Sequence, residues 1–408
     1  MRKYIFSLLL LSLGIVLHAQ SLEELRQEVE QNNPKLQALW NAFLAAQERI
    51  PQVGQLPQPE VGISTFALPV ETRLGPQQLR VGAKQSFPWF GTLEQKRAVA
   101  ATQSQRFQTQ ISLARQELYF QLDQAYLNFY RLEEERRINA LHLDYLLTRE
   151  RLALAKVENG QGTAADVLRI QLMQEKLRQQ LAIFEQNKAV PQALINQLRH
   201  QEADQVILLK DTLSLAILPW TKDSLLQHIG QIHPSLRDYN LQQQLVLQQL
   251  QLNELQNKPS FGVGVDYIAV AERSIATISD NGRDILQFHA SVTVPIYRKA
   301  YQARQREQEL QLQSIQHQEA ATLDQFATIV EQAYTQHATA RLELDSYEQQ
   351  IELIESLISL LQSSYTTNST GLDELLRYEQ DLIDYQRKKL LAIVSSHQAR
   401  QNLQRLLY

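Results

Sequence analysis

From Leu118 onward, apolar residues recur three and four positions apart: Leu118, Leu122, Ala125, Tyr126 and Phe129. The positions between them carry Gln, Arg and Glu. This spacing predicts a helix with one dry seam and one wet face. Other stretches alternate instead. From Ile285 to Val294, Leu286, Phe288, Ala290, Val292 and Val294 share one parity, and Gln287, His289, Ser291 and Thr293 share the other. From Phe261 to Ala269 the odd positions are apolar or aromatic, set against Gly262, Gly264 and Asp266. Leu79, Val81, Ala83 and Phe87 alternate with Arg80, Gly82, Lys84 and Ser86. A fourth segment, Val61 to Leu68, is weaker, because Phe66 and Leu68 break the alternation. The expected strands are about 60–69, 77–87, 260–270 and 284–295.

These elements come in two sets. Asn33-Pro34-Lys35-Leu36 matches His233-Pro234-Ser235-Leu236, and Pro59-Glu60-Val61-Gly62-Ile63 matches Pro259-Ser260-Phe261-Gly262-Val263. Phe87-Pro88-Trp89-Phe90 lines up with Val294-Pro295-Ile296-Tyr297. Ala165-Asp166-Val167-Leu168-Arg169 lines up with Asp373-Glu374-Leu375-Leu376-Arg377. Matches in one order imply a duplication, with repeats at 20–200 and 221–408 joined by a link at 201–220. Each repeat reads helix, two strands, then a pair of long helices, at about 92–190 and 297–408. Ser21 and Glu24 form a capping-box pattern at the start.

Breakers support the long helices. The 408 residues include only 13 Gly and 12 Pro, and none lies between Thr92 and Asn159, between Ile296 and Thr370, or after Gly371. Helix turns fall at Asn159-Gly160-Gln161-Gly162 and at Thr367 to Gly371. A long coiled-coil protein is the plainer interpretation of the helices alone. Arg2 and Lys3, the apolar stretch Tyr4 to Leu17 and the exit His18-Ala19 read as a signal peptide at 1–19. No later apolar run approaches a spanning helix. A net charge of −4 leaves no nucleic-acid footprint.

Candidate chemistry is sparse. The absence of Cys removes disulfides, thiolate metal sites and thiol nucleophiles. The nine His form no His-Glu-x-x-His pattern, and His228 and His233, flanking a helix end, read as surface residues. No phosphate loop or nucleophile elbow occurs. The chain therefore reads as a non-enzyme with no cofactor and no metal site. The amphipathic strands fit either a soluble sheet or a transmembrane barrel. Four strands are too few to close a barrel with an interior, and open edges are not viable in lipid. Three chains would supply twelve strands.

The repeated units, the signal peptide, Asn33-Pro34 and Phe87-Pro88-Trp89-Phe90-Gly91 after a strand resemble the TolC-like outer-membrane efflux channels. The resemblance covers essentially the whole chain after the signal peptide. It implies a mainly helical fold with a small β part. It also implies a homotrimer whose twelve-stranded transmembrane β-barrel continues into a long periplasmic α-helical barrel. The implied function is a passive exit duct in the outer membrane for drugs, metal ions or proteins. Its implied partners are a periplasmic adaptor, a proton-driven or ATP-driven inner-membrane pump and outer-membrane lipid. The resemblance places gate or pore residues at Tyr365, Asp373, Glu374 and Arg377. It places adaptor contacts at Asn159, Gly160, Gly162, Asp166, Asn368 and Gly371. The lumen-facing strand residues are Arg80, Lys84, Asp266, Gln287 and His289. The sequence departs from the family at Arg377, where a second acidic residue is expected, at Thr370, where a gate arginine is expected, and at Arg298, opposite Gly91 of the first repeat. Pro295-Ile296-Tyr297-Arg298-Lys299 is similar to members paired with heavy-metal pumps. The competing interpretation is a periplasmic coiled-coil adaptor or scaffold without a pore.

Overall fold

A computed structural model of the chain describes residues 21–274, 279–366 and 372–407. The expected signal peptide, and Asn368 and Gly371 of the second helix turn, lie outside the described residues. The first half contains α1 (Leu22–Asn32), α2 (Pro34–Val53), β1 (Glu60–Thr65), β2 (Glu71–Thr72), β3 (Gly75–Phe87), α3 (Thr92–Glu158) and α4 (Ala164–Leu198). The second contains α5 (Lys222–Ile232), α6 (Pro234–Gln256), β4 (Ser260–Val270), β5 (Ile285–Thr293), α7 (Lys299–Thr366) and α8 (Leu372–Gln404). The protein is thus mainly helical with one small sheet.

Where one leading helix was expected in each half, two occur. Proline lacks an N–H and disfavours helical backbone in the residue before it. Asn33 accordingly turns extended at φ −67° and ψ 120°, and a new helix starts at Pro34. His233-Pro234 repeats the break. His233 is not the surface residue its flanking position suggested. It is 4% exposed, and its Nδ1 accepts the Ser235 amide at 3.1 Å as the N-cap of α6. The expected capping box of α1 forms, with the Glu24 amide donating to Ser21 Oγ at 3.3 Å and the Ser21 amide to Glu24 Oε2 at 2.7 Å. The first strand stops at Thr65, where the alternation ends. α4 runs on past Pro191 to Leu198, because Ile195 and Leu198 stay buried on its seam.

The described residues form two compact units, and neither is one of the two sequence halves. One takes residues up to Leu36, Ala114–Ile229 and Phe326 onward; the other takes Gln37–Leu113 and Gly230–Gln325. A helix with a single dry seam buries it only against another such helix, and the partners here come from both halves. In the first unit the expected seam is buried throughout. Leu118, Leu122, Ala125, Tyr126 and Phe129 are each at most 4% exposed. The segment 201–220 is laced onto these helices. The Leu213 amide donates to Tyr130 OH at 3.1 Å, the Ala216 amide to Ser396 Oγ at 3.0 Å, and Tyr126 OH to Asp211 Oδ2 at 2.6 Å.

The second unit holds the sheet. Its order is β1-β3-β4-β5, all antiparallel, with β2 pairing only the start of β3. β1 and β5 are its edges among the described residues.

Candidate functional site

Strand register sorts the sheet into two faces. Val61, Ala83, Val265 and Phe288 are cross-strand neighbours, as are Ile63, Val81, Tyr267 and Leu286. On the other face run Gly62, Gly82, Asp266 and Gln287, then Glu60, Lys84, Gly264 and His289. With Arg80, which pairs Ser64 and Ile268, all five lumen-facing candidates therefore share one face. The burial is inverted relative to a soluble sheet. Ile63 is 72% exposed and Phe288 76%, whereas Asp266 is 4% exposed.

The polar face is a knit cluster. The Arg80 guanidinium donates to Asp266 Oδ2, and His289 Nδ1 lies 3.1 Å from the same oxygen. Glycines make room for these side chains to lie flat. A Cβ on Gly82 would stand 2.1 Å from Asp266 Oδ1, and one on Gly264 would stand 2.4 Å from the His289 ring. Lys84 and Glu60 complete a concavity of about 420 Å³ over this face. Gln287 is exposed beside it. Aromatic residues gather at one end of the strands. Trp89 stacks on Phe261 at 5.9 Å, and Phe90 and Tyr297 are 80% and 83% exposed.

The first unit holds the helix-end residues. α3 closes in a Schellman motif: Gly160 takes φ +73°, its amide donates to Val157 O at 3.0 Å, and the Gln161 amide donates to Lys156 O at 2.8 Å. Asn159 Nδ2 donates to Ala155 O at 2.8 Å. Gly162 packs against Lys156, where a Cβ would come within 3.1 Å. Asp166 reciprocates the Thr163 cap and so starts α4. The described adaptor-contact candidates thus shape the turn.

Tyr365 is 7% exposed, within a core that includes Ala153, Ile170, Leu372 and Leu375. Burial raises its phenol above the ordinary value. Lys156 Nζ donates to its carbonyl and sits 3.8 Å from its ring centroid. A cation on a last-turn carbonyl satisfies an orphan acceptor and opposes the helix dipole. Asp373 pairs with Arg169 of α4 at 2.7 Å. Glu374 and Arg377 are exposed. Arg377 lies over the Tyr378 ring at 4.7 Å, and no ion pair joins it to Glu374 among the described residues.

Residue-type reasoning missed what these groups rest on. Glu135, Asn139, His142, Leu146, Arg149, Ala153 and Lys156 follow each other by four and three, the spacing of a packed seam. Asn139 is fully buried; His142 and Lys156 are 7% and 8% exposed. Their partners come largely from α8. Arg387 Nη2 donates to Asn139 Oδ1 at 2.7 Å, His142 Nε2 lies 2.8 Å from Gln386 Oε1, and Arg149 Nε donates to Glu379 Oε1 at 3.2 Å. Burial pushes the Glu379 carboxyl up despite Arg149, and pushes His142 down. The signal was the phase of these polar residues, which continues that of Leu118 to Leu132.

No protein-family model matches the chain, and no curated protein sequence does. Solved structures do match. The outer membrane protein VceC from Vibrio cholerae aligns at TM-score 0.75 and 16% identity, over 95% of this chain and 96% of that one. CusC, solved in a study of folding and transmembrane channel formation, aligns at TM-score 0.77 and 13% identity, over 95% and 92%. The open state of the Neisseria gonorrhoeae MtrE outer membrane channel aligns at TM-score 0.74 and 16% identity, over 95% and 88%. The resemblance read from the residues thus holds in three dimensions, and the chain has the TolC-like fold.

Proposed function

We propose that the chain is a duplicated, trimeric outer-membrane channel, the passive exit duct of a tripartite efflux system. The observation that carries this is the inverted sheet. Water favours the opposite arrangement, since exposed apolar area costs about 25 cal/mol per Å². Lipid outside and water inside favour the arrangement seen. Four strands with two open edges reach closure if three chains each donate them, giving a twelve-stranded barrel. Arg80, Lys84, Asp266, Gln287 and His289 then line its lumen, and the exposed aromatics sit at one membrane interface. The long helices form the periplasmic part, which docks an adaptor and, through it, an inner-membrane pump.

In this reading Glu374 and Arg377 line the narrow end of the helical part, and Asp373 and Tyr365 hold that end in shape. The turn at Asn159 to Asp166 is its adaptor-facing counterpart. Three carboxylates at a constriction focus field and draw cations. The pump selects the cargo, drug or metal ion, and the chain itself does no covalent chemistry. The deciding experiment is fractionation: the protein is expected in outer-membrane fractions as a heat-labile trimer. Recovery as a soluble monomer would sink the reading. For the gate, Glu374→Ala is expected to lower cation preference and Arg377→Ala to raise it in planar-bilayer conductance. Unchanged selectivity and opening in both would remove these residues from the gate.

A further inference from the structure

The polar seam of the first unit borders a cavity of about 470 Å³ between α3, α4, α7 and α8. Its size falls in the usual range for a small-ligand site, roughly 300–1,000 Å³. Its walls are mainly apolar: Leu146, Met173, Ile358, Leu382 and Ile383. Tyr145, itself half exposed, adds an aromatic wall.

The polar lining is asymmetric in charge. Glu379 and Glu355 both border the cavity, and no Lys or Arg does. Glu379 is 6% exposed. Arg149 reaches its Oε1, but its Oε2 has no hydrogen-bond partner among the described residues. A buried carboxylate oxygen left unmatched is costly, and Glu379 shows that cost in a carboxyl held above its ordinary range by burial. Arg149 offsets one of the two carboxylates from Oε1, and His142 adds no second positive charge, because burial holds its pKa down. Glu355 and Ser359 are exposed at the rim, beside half-buried Gln362. The missing element is a hydrogen-bond donor carrying positive charge on an apolar body. A bare metal ion does not fit these walls, and no cluster of three metal-ligating residues occurs among the described residues.

We propose that this cavity binds lipophilic amines, with the ammonium on the Glu379 carboxylate and the apolar body between Leu146, Met173, Ile358 and Leu382. The rim carboxylate of Glu355 attracts the amine to the mouth. The site lies within one chain, so the proposal stands independently of the duct.

The test uses the purified full-length protein in detergent and two fluorescent probes of nearly equal shape. One is 1-naphthylmethylamine, cationic at neutral pH, and the other is the neutral 1-naphthylmethanol. Titration is expected to give one amine site per chain, at least about tenfold tighter than the alcohol. Glu379→Gln keeps an acceptor for Arg149 and is expected to erase the difference between the probes. Ser359→Trp, at an exposed rim position, blocks the mouth without entering the core and is expected to weaken both. Equal binding of amine and alcohol to the unaltered protein would overturn the proposal. So would an amine preference that survives Glu379→Gln, or amine binding that Ser359→Trp leaves unchanged.

Discussion

Arg26 and Asp123 are 9% and 4% exposed, and Arg26 Nη2 donates to Asp123 Oδ2 at 2.6 Å. Burial raises the Asp123 carboxyl even so, which marks a pair whose desolvation is incompletely offset. Removing one partner leaves the other charged and buried. Asp123→Ala is therefore expected to cost about 3–5 kcal/mol in chemical denaturation. Buried His142 and half-buried His397 set a pH dependence. Burial lowers both His142 and His397. Below about pH 6.5 the unfolded chain binds protons that the folded chain resists, so stability falls as pH drops toward the folded values. The double variant His142→Gln, His397→Gln is expected to flatten the fall in melting temperature between about pH 6.5 and 5. A slope equal to that of the unaltered protein would place the titration elsewhere.

At the scale of elements, two helix seams differ in kind. The stretch from Leu118 to Leu132 is apolar and was legible from spacing alone. The stretch from Glu135 to Lys156 keeps the phase but swaps in polar groups, each needing a partner on another element. Sequence spacing places such residues on a face; it does not name their partners, so the roles of Lys156 and Arg149 were not legible there. A helix end beside His233 was likewise legible, while the new helix starting at Pro234 and the capping duty of the imidazole were not. Polar seams favour one register over raw stability. Replacing the Arg149–Glu379 pair by Met and Leu together is expected to be neutral or stabilising by about 1–4 kcal/mol, whereas Arg149→Met alone destabilises by about 3–5 kcal/mol. Thermal melts of the three proteins check this. The sheet gives a sharper contrast between neighbours. On the proposed lipid face, Phe288→Arg is expected to cost about 2–4 kcal/mol and to reduce the heat-labile oligomer. Gln287→Arg, one residue earlier on the polar face, is expected to leave assembly intact and shift ion selectivity.

For the molecule as a whole, strand parity carried further than composition did. The alternation predicted both faces, and the structure places Arg80, Lys84, Asp266, Gln287 and His289 together as that parity required. The division into compact units was not legible, because sequence repeats follow the chain while packing follows the seams. Phe66 and Leu68 show the remaining limit: with the alternation broken, the strand stops at Thr65, and beyond it the Phe66 amide donates to Gln78 O at 3.4 Å while β2 pairs the start of β3.

Under the trimer reading, the open edges of β1 and β5 have a consequence for how much assembled protein a cell can make. A lone chain is ill suited to either solvent. In water it exposes Val61, Ile63, Phe288 and Val292; in lipid its edge amides and carbonyls go unmet, at several kcal/mol each. Its survival therefore depends on meeting other copies before proteases or aggregation remove it. Under the trimer reading, yield becomes a matter of encounter frequency. Halving synthesis is expected to lower the assembled form by more than half, a dosage curve that immunoblots of unheated membrane samples would trace.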